Sequence, residues 1–315
     1  MARVADRGQL LLAAAFGLAI VLVALALVVN SVVYTGTLAT TDGVGSDERA
    51  ATRYHHGAVT GTRGLIATVN DRSHASHATL TRNLSTGVTQ WDALAGKQYA
   101  LEGAATNATL SATTNETRIG QDDPTRALTD RSGAANWTVA ASVPAIYRQR
   151  YTVSRSSLTA VPPGTDCRAT GDCFAVVVDN GTDTWRLFAA TSPSGTDIAV
   201  EIVDPNGATT TCSVAASTAT IDLTNGTLAG TACPALDVTA ALDGPYTITH
   251  RRGDRARGSY RLVVEGIVPA GTAFDNDDAP YARPGVAAVT VRVRYRTADL
   301  TYETDTRVLR GGLDG

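Results

Sequence analysis

Lysine is almost missing from this chain. One Lys stands against 26 Arg, and 6 Glu against 24 Asp. GC-rich coding accounts for the Arg and Ala bias. The surplus of Asp over Lys also suits a protein working in high salt. Aromatic residues make up only 5 % and there is a single Met, so the core must be built from Val, Ile, Leu and Ala. Strong positive charge is absent too. A net charge of −3 and a pI near 5.9 argue against a nucleic-acid partner, which selects for basic domains. No G-x-S-x-G elbow, phosphate loop or dinucleotide fingerprint occurs, so no catalytic residue is singled out, no cofactor is expected, and the chain reads as a non-enzyme.

What is present begins with Leu10–Val29, LLLAAAFGLAIVLVALALVV, which holds no charge. At about 1.5 Å per residue such a helix spans about 30 Å, the hydrocarbon thickness of a bilayer. Arg3 and Arg7 precede it, and no Lys or Arg follows until Arg49. The positive-inside rule then predicts a single-pass cell-membrane protein with its N-terminus in the cytoplasm and its C-terminal domain outside. A cleaved secretory signal would have a shorter apolar region and a small-residue cleavage site; Asn30-Ser-Val-Val-Tyr offers none.

The junction Asp6-Arg7-Gly8-Gln9, followed at once by the apolar run, resembles the class III signal of archaeal flagellins and other type IV pilin-like proteins. Haloarchaeal members are similar in presenting an acidic-basic-Gly-Gln junction. The resemblance covers about 25 of the 315 residues. It implies processing between Gly8 and Gln9 by a prepilin-type peptidase, with the apolar helix kept on the mature protein. The partners implied are the lipid bilayer, that peptidase and other pilin-like subunits. The chain departs from the bacterial pilin pattern at Ala13, where those proteins carry Glu, and it lacks the Gly-Ile-Gly run of flagellins. An uncleaved signal anchor is the alternative.

Beyond the span, Tyr54, Ala58, Gly61, Leu65 and Val69 recur at helical spacing, as do Leu80, Leu84, Val88, Trp91 and Ala95. They predict a helical hairpin. A Thr- and Asn-rich stretch carrying Asp122-Asp-Pro124 reads as a linker. From about residue 134 the period becomes two, and Asp179-Asn-Gly181 and Asp204-Pro-Asn-Gly207 mark hairpin turns. The expected fold is a single N-terminal transmembrane helix, a helical hairpin and a mainly antiparallel β-sandwich, α+β overall. The divisions are leader 1–8, span 9–30, helical stalk or hairpin 31–104, linker 105–133 and sandwich ectodomain 134–315.

Six Asn-x-Ser/Thr sequons, at Asn83, Asn107, Asn115, Asn136, Asn180 and Asn225, exceed the roughly two that chance would supply. They predict an exported glycoprotein. Cys167, Cys173, Cys212 and Cys233 are even in number, which predicts two disulfides with three connectivities open. Cys167–Cys173 and Cys212–Cys233 close the shortest loops and are the preferred pairs. Zinc is the rival reading, without C-x₂-C spacing or a nearby His to favour it.

Other clusters read as bland. His74 and His77 lack an H-E-x-x-H pattern, and adjacent His55 and His56 point to different faces. Phe274-Asp-Asn-Asp-Asp278 concentrates oxygen ligands but breaks the EF-hand pattern, so no metal is assigned. Arg251, Arg252, Arg255 and Arg257 crowd one polar hairpin tip, answered by Asp254. The function expected from all this is a membrane-anchored, pilin-like cell-surface structural protein. A binding module for envelope glycan or a surface protein is the alternative.

Overall fold

The computed structural model describes residues 46–72, 75–161, 166–269, 271–275 and 280–311. The expected leader and membrane span lie outside these residues, together with the Gly8-Gln9 junction. Among the described residues no helix is long and apolar enough to cross a membrane.

Two long helices come first. Helix α1 is Ser46–Asn70, with Asp47 and Glu48 in its first turn, where negative charge complements the helix dipole. Helix α2 is His77–Leu101. Ser76 caps it, its Oγ accepting from the Thr79 N–H at 3.2 Å. Gly103, at φ 79°, stops it, and the Ala104 N–H turns back to the Tyr99 carbonyl. The expected apolar stripes hold with one rotation. Tyr54, Ala58 and Val69 are buried, but Ile66 rather than Leu65 is the sealed residue. Leu80, Leu84, Val88 and Tyr99 are buried as expected.

Fourteen strands follow among the described residues: β1 Ala105–Gln121, β2 Trp137–Val143, β3 Ile146–Ser154, β4 Phe174–Asp179, β5 Thr184–Thr191, β6 Ile198–Val203 and β7 Thr209–Val214. Then come β8 Thr218–Asp222, β9 Thr227–Leu228, β10 Thr231–Ala232, β11 Tyr246–Arg251, β12 Gly258–Glu265, β13 Tyr281–Arg296 and β14 Thr301–Leu309.

The chain divides into two compact units, and these cut across the expected domain divisions. The larger unit, made of the described residues within 66–85, 112–289 and 309–311, is a sandwich of two sheets. One sheet runs β10-β9-β8-β3-β12-β1-β13 and the other β2-β11-β4-β5-β6-β7. The registered pairs within the sheets are antiparallel. Alternation aims one side of each strand inward. Trp185 and Leu187 from β5, Ile248 from β11, Tyr151 and Val153 from β3, and Leu262 and Val264 from β12 fill one continuous core.

Among the described residues the smaller unit comprises 46–65, Thr86–Ser111 and Thr290–Val308. Its parts of β1, β13 and β14 lie side by side in that order. Aromatic rings meet in its core: Tyr54 lies 5.5 Å from Trp91, 5.3 Å from Tyr99 and 6.4 Å from Tyr295. Gly57 and Gly61 give the Trp91 indole room, since a Cβ at Gly61 would come within 3.0 Å of its Nε1. Ion pairs Arg292–Asp305 and Arg294–Glu303, each 3.0 Å, lace the solvent side of β13 and β14.

Two expectations change. Residues 105–121, read as the start of a linker, form the 17-residue strand β1. Thr and Asn resemble loop composition, but Thr is β-branched and suits a pleated strand. The stretch Glu116–Gln121 pairs with Glu265–Tyr260 of β12. The segment RRGDRARG is not a hairpin tip either. Strands β11 and β12 belong to different sheets, so this segment is a corner crossing the sandwich.

Candidate functional site

The cysteines carry the clearest chemistry. Cys167–Cys173 and Cys212–Cys233 are both disulfides, with Cα–Cα separations of 5.5 and 6.4 Å. The first encloses a helical turn, Cys167–Thr170, whose cap Asp166 accepts from the Ala169 N–H. The second joins β7, at the edge of one sheet, to the residue after β10, at the edge of the other. No backbone ladder connects two sheets of a sandwich, so this covalent bond holds the open side together.

The sequons do not stand alike. Asn83 on α2 and Asn107 on β1 are exposed. Asn136 is exposed while its Oδ1 accepts from the Arg252 N–H at 2.9 Å. Asn180 builds its own turn, accepting from the Thr182 and Asp183 N–H groups and donating to the Asp243 carbonyl. Asn225 donates through Nδ2 to Asp222 at 2.9 Å. Asn115 is half-buried beside Glu116.

Two buried polar clusters went unread in the sequence. His250 is completely buried in the sandwich core. Trp137, Tyr151, Phe174 and Tyr260 surround it at ring separations of 5.2 to 5.5 Å. Its Nε2 lies 2.9 Å from the Tyr151 hydroxyl and its Nδ1 3.3 Å from the Leu128 carbonyl. A neutral ring meets both, donating from Nδ1 and accepting at Nε2. Burial pushes its pKa down to about 3, against a smaller opposing effect of the Leu128 carbonyl. The signal was available: Tyr246, Ile248 and His250 alternate onto the inward side of one strand.

The second cluster centres on Glu116, fully buried in β1. Arg118 pairs with it at 2.9 Å and Arg310 at 2.8 Å. Arg310 also lies over the Tyr147 ring, 4.8 Å from its centroid. The Tyr147 hydroxyl donates to Glu265 at 2.5 Å, and burial followed by that carboxylate raises its pKa to about 12. His77 reaches the Glu116 carbonyl at 2.8 Å. Asn70, the last residue of α1, bonds both backbone groups of Val286 at 2.9 Å. A Cβ at Gly285 would sit 2.7 Å from the Glu116 Cγ, so only glycine fits there. No spacing rule links residues 70, 116 and 310, which is why the sequence hid this cluster.

The remaining clusters find ordinary partners. Asp172 pairs with Arg252 and, at 3.1 Å, with Arg255. Arg257 donates to the Thr125 carbonyl at 2.8 Å. His55 lies 2.8 Å from the Thr306 hydroxyl, and His56 is exposed. His74 and residues 276–279 of the acidic loop lie outside the described residues; Asp275 pairs with Arg131 at 3.3 Å. Among the described residues no group of His, Cys, Asp and Glu is placed to hold a metal ion.

A family of unknown function, DUF7261, matches residues 4–128. That stretch runs from the polar leader through both helices and β1, and it carries Asn70, His77, Glu116 and Arg118. The two disulfides and most of the sandwich lie beyond it. No curated protein and no solved structure matches the chain.

Proposed function

We propose that this protein is a pilin-like structural protein of the cell surface, anchored by residues 9–30 and presenting its β-sandwich outside the membrane. The Cys212–Cys233 bond carries the reading. Disulfides form and persist in oxidising surroundings, and the cytoplasm is reducing. A fold that fastens one side of its sandwich with such a bond is suited to the far side of a membrane. The topology read from Arg3, Arg7 and the uncharged run agrees. Exposed Asn83 and Asn107 agree as well, since sugar transfer to an Asn amide requires access. The helices and the β1 strand lie within the span matched by the family of unknown function, next to the leader, and would serve as the stalk.

The intact mass of the membrane-extracted protein tests this. Loss of residues 1–8, with Gln9 first, is the expected result, along with four oxidised Cys and added hexose mass. A retained leader would remove the pilin-like part of the reading. Four free thiols would remove the outside location.

A further inference from the structure

We propose that the outer edge of β7 is a pairing surface for a second copy of this chain, β7 lying antiparallel against β7 across a two-fold axis. Sheet edges expose unpaired N–H and C=O groups, and proteins ordinarily guard them with charge, bulges or shortness. Three edge strands here are guarded. Strand β10 is two residues long. Strand β2 has register shifts against β11 and holds Ser142 at φ 52°. Strand β14 carries Glu303, Asp305 and Arg307. Strand β7, Thr-Thr-Thr-Cys-Ser-Val, has no charge and no proline. It keeps unbroken register with β6, from Val203↔Thr209 to Ile198↔Val214.

The hairpin fixes which of its groups look outward. The Asp204 N–H donates to the Ala208 carbonyl at 3.0 Å, closing the ladder at the turn. Antiparallel pairs alternate, so Thr210, Cys212 and Val214 bond to β6. Thr209, Thr211 and Ser213 therefore turn their N–H and C=O groups away from the sheet. No described residue bonds them.

A second β7 is a fitting occupant because the strand is neutral along its whole length. Pairing it with itself sets no like charges opposite one another, whereas β14 against its own copy would oppose carboxylates or guanidinium groups. In the register centred on Thr211, Thr211 faces its own copy and Thr209 faces Ser213. Pairs of β-branched and hydroxyl side chains of this kind are favourable on a sheet surface. The result is one continuous sheet through two molecules. This assembly goes beyond the anchored-stalk reading and does not depend on it.

The test uses the full chain in detergent micelles, with its oligomeric state followed by analytical ultracentrifugation over a dilution series. The wild type should dimerise. Thr211→Pro removes only an outward donor, so the sandwich and both disulfides should persist while dimer affinity falls about tenfold or more. Thr211→Lys and Thr211→Glu, each alone, should be monomeric at concentrations where the wild type is dimeric. Mixed together they should form a heterodimer, because residue 211 meets residue 211. A monomeric wild type, a dimer that survives Thr211→Pro, or a Lys/Glu mixture that stays monomeric would each overturn the proposal. Association through the apolar N-terminal run would survive all the substitutions and so count against it.

Discussion

At the scale of single residues, His250 ties stability to pH. Its ring is neutral when folded, with a pKa near 3, whereas in the unfolded chain it titrates near the ordinary 6.5. Between these values the unfolded state binds the extra proton. This contribution is therefore complete above about pH 6.5 and lost as pH falls toward 3, at about 1.4 kcal/mol per pH unit. Urea unfolding between pH 7 and pH 4.5 should show that slope. His250→Gln, less stable at neutral pH, should show a shallower one, because nothing at the position then takes up the proton. Equal slopes for the two proteins would mean that another group governs acid sensitivity. Glu116 illustrates the same physics with the opposite resolution. A carboxylate so deeply buried would be costly if alone, and two guanidinium groups compensate it. Of the two residues, only His250 was legible in advance, through strand alternation. The partners of Glu116 come from a helix end, its own strand and the C-terminal segment.

At the scale of elements, the end of α1 is fastened by one side chain. Asn70 accepts from the Val286 N–H and donates to the Val286 carbonyl, taking the place of a neighbouring strand for β13. Asn70→Ala would leave both backbone groups buried without partners, at a cost of about 2–3 kcal/mol. Chemical denaturation should register this as a lower midpoint with unchanged slope. A loss below about 0.5 kcal/mol would show that water replaces the amide without penalty. The helices and most strands were readable because apolar residues repeat at 3.6 or 2 residues. Strand β1 was not. Its first half reads ATNATLSATTN, where Ala108, Leu110 and Ala112 make only a weak apolar side among Thr and Asn; it is a strand because β13 lies beside it, while Glu116–Gln121 pairs with β12.

Across the whole molecule, the two disulfides should contribute unequally. Cys212–Cys233 closes a separation of 21 residues and Cys167–Cys173 one of 6. Loop-closure entropy then predicts about 3 kcal/mol for the first and about 2 kcal/mol for the second. Paired Cys→Ser variants, compared by thermal or urea unfolding, should rank in that order, with Cys212/Cys233 the more damaging. The opposite ranking would show that native-state packing, rather than chain constraint, sets their value.

The sequence by itself determined what depends on neighbours along the chain. Charge asymmetry about residues 10–29 sets the expected topology, helical and strand periods set the elements, and an even cysteine count with short intervals set the disulfides. Tertiary structure decided what depends on neighbours in space. It put β11 and β12 in separate sheets, made β1 a strand, brought Asn70, Glu116 and Arg310 into one larger unit, and left β7 as the unguarded edge. Periodicity reports which side of an element is apolar. Which element lies beside it, and which edge has none, follows only from how the sheets close around a shared core.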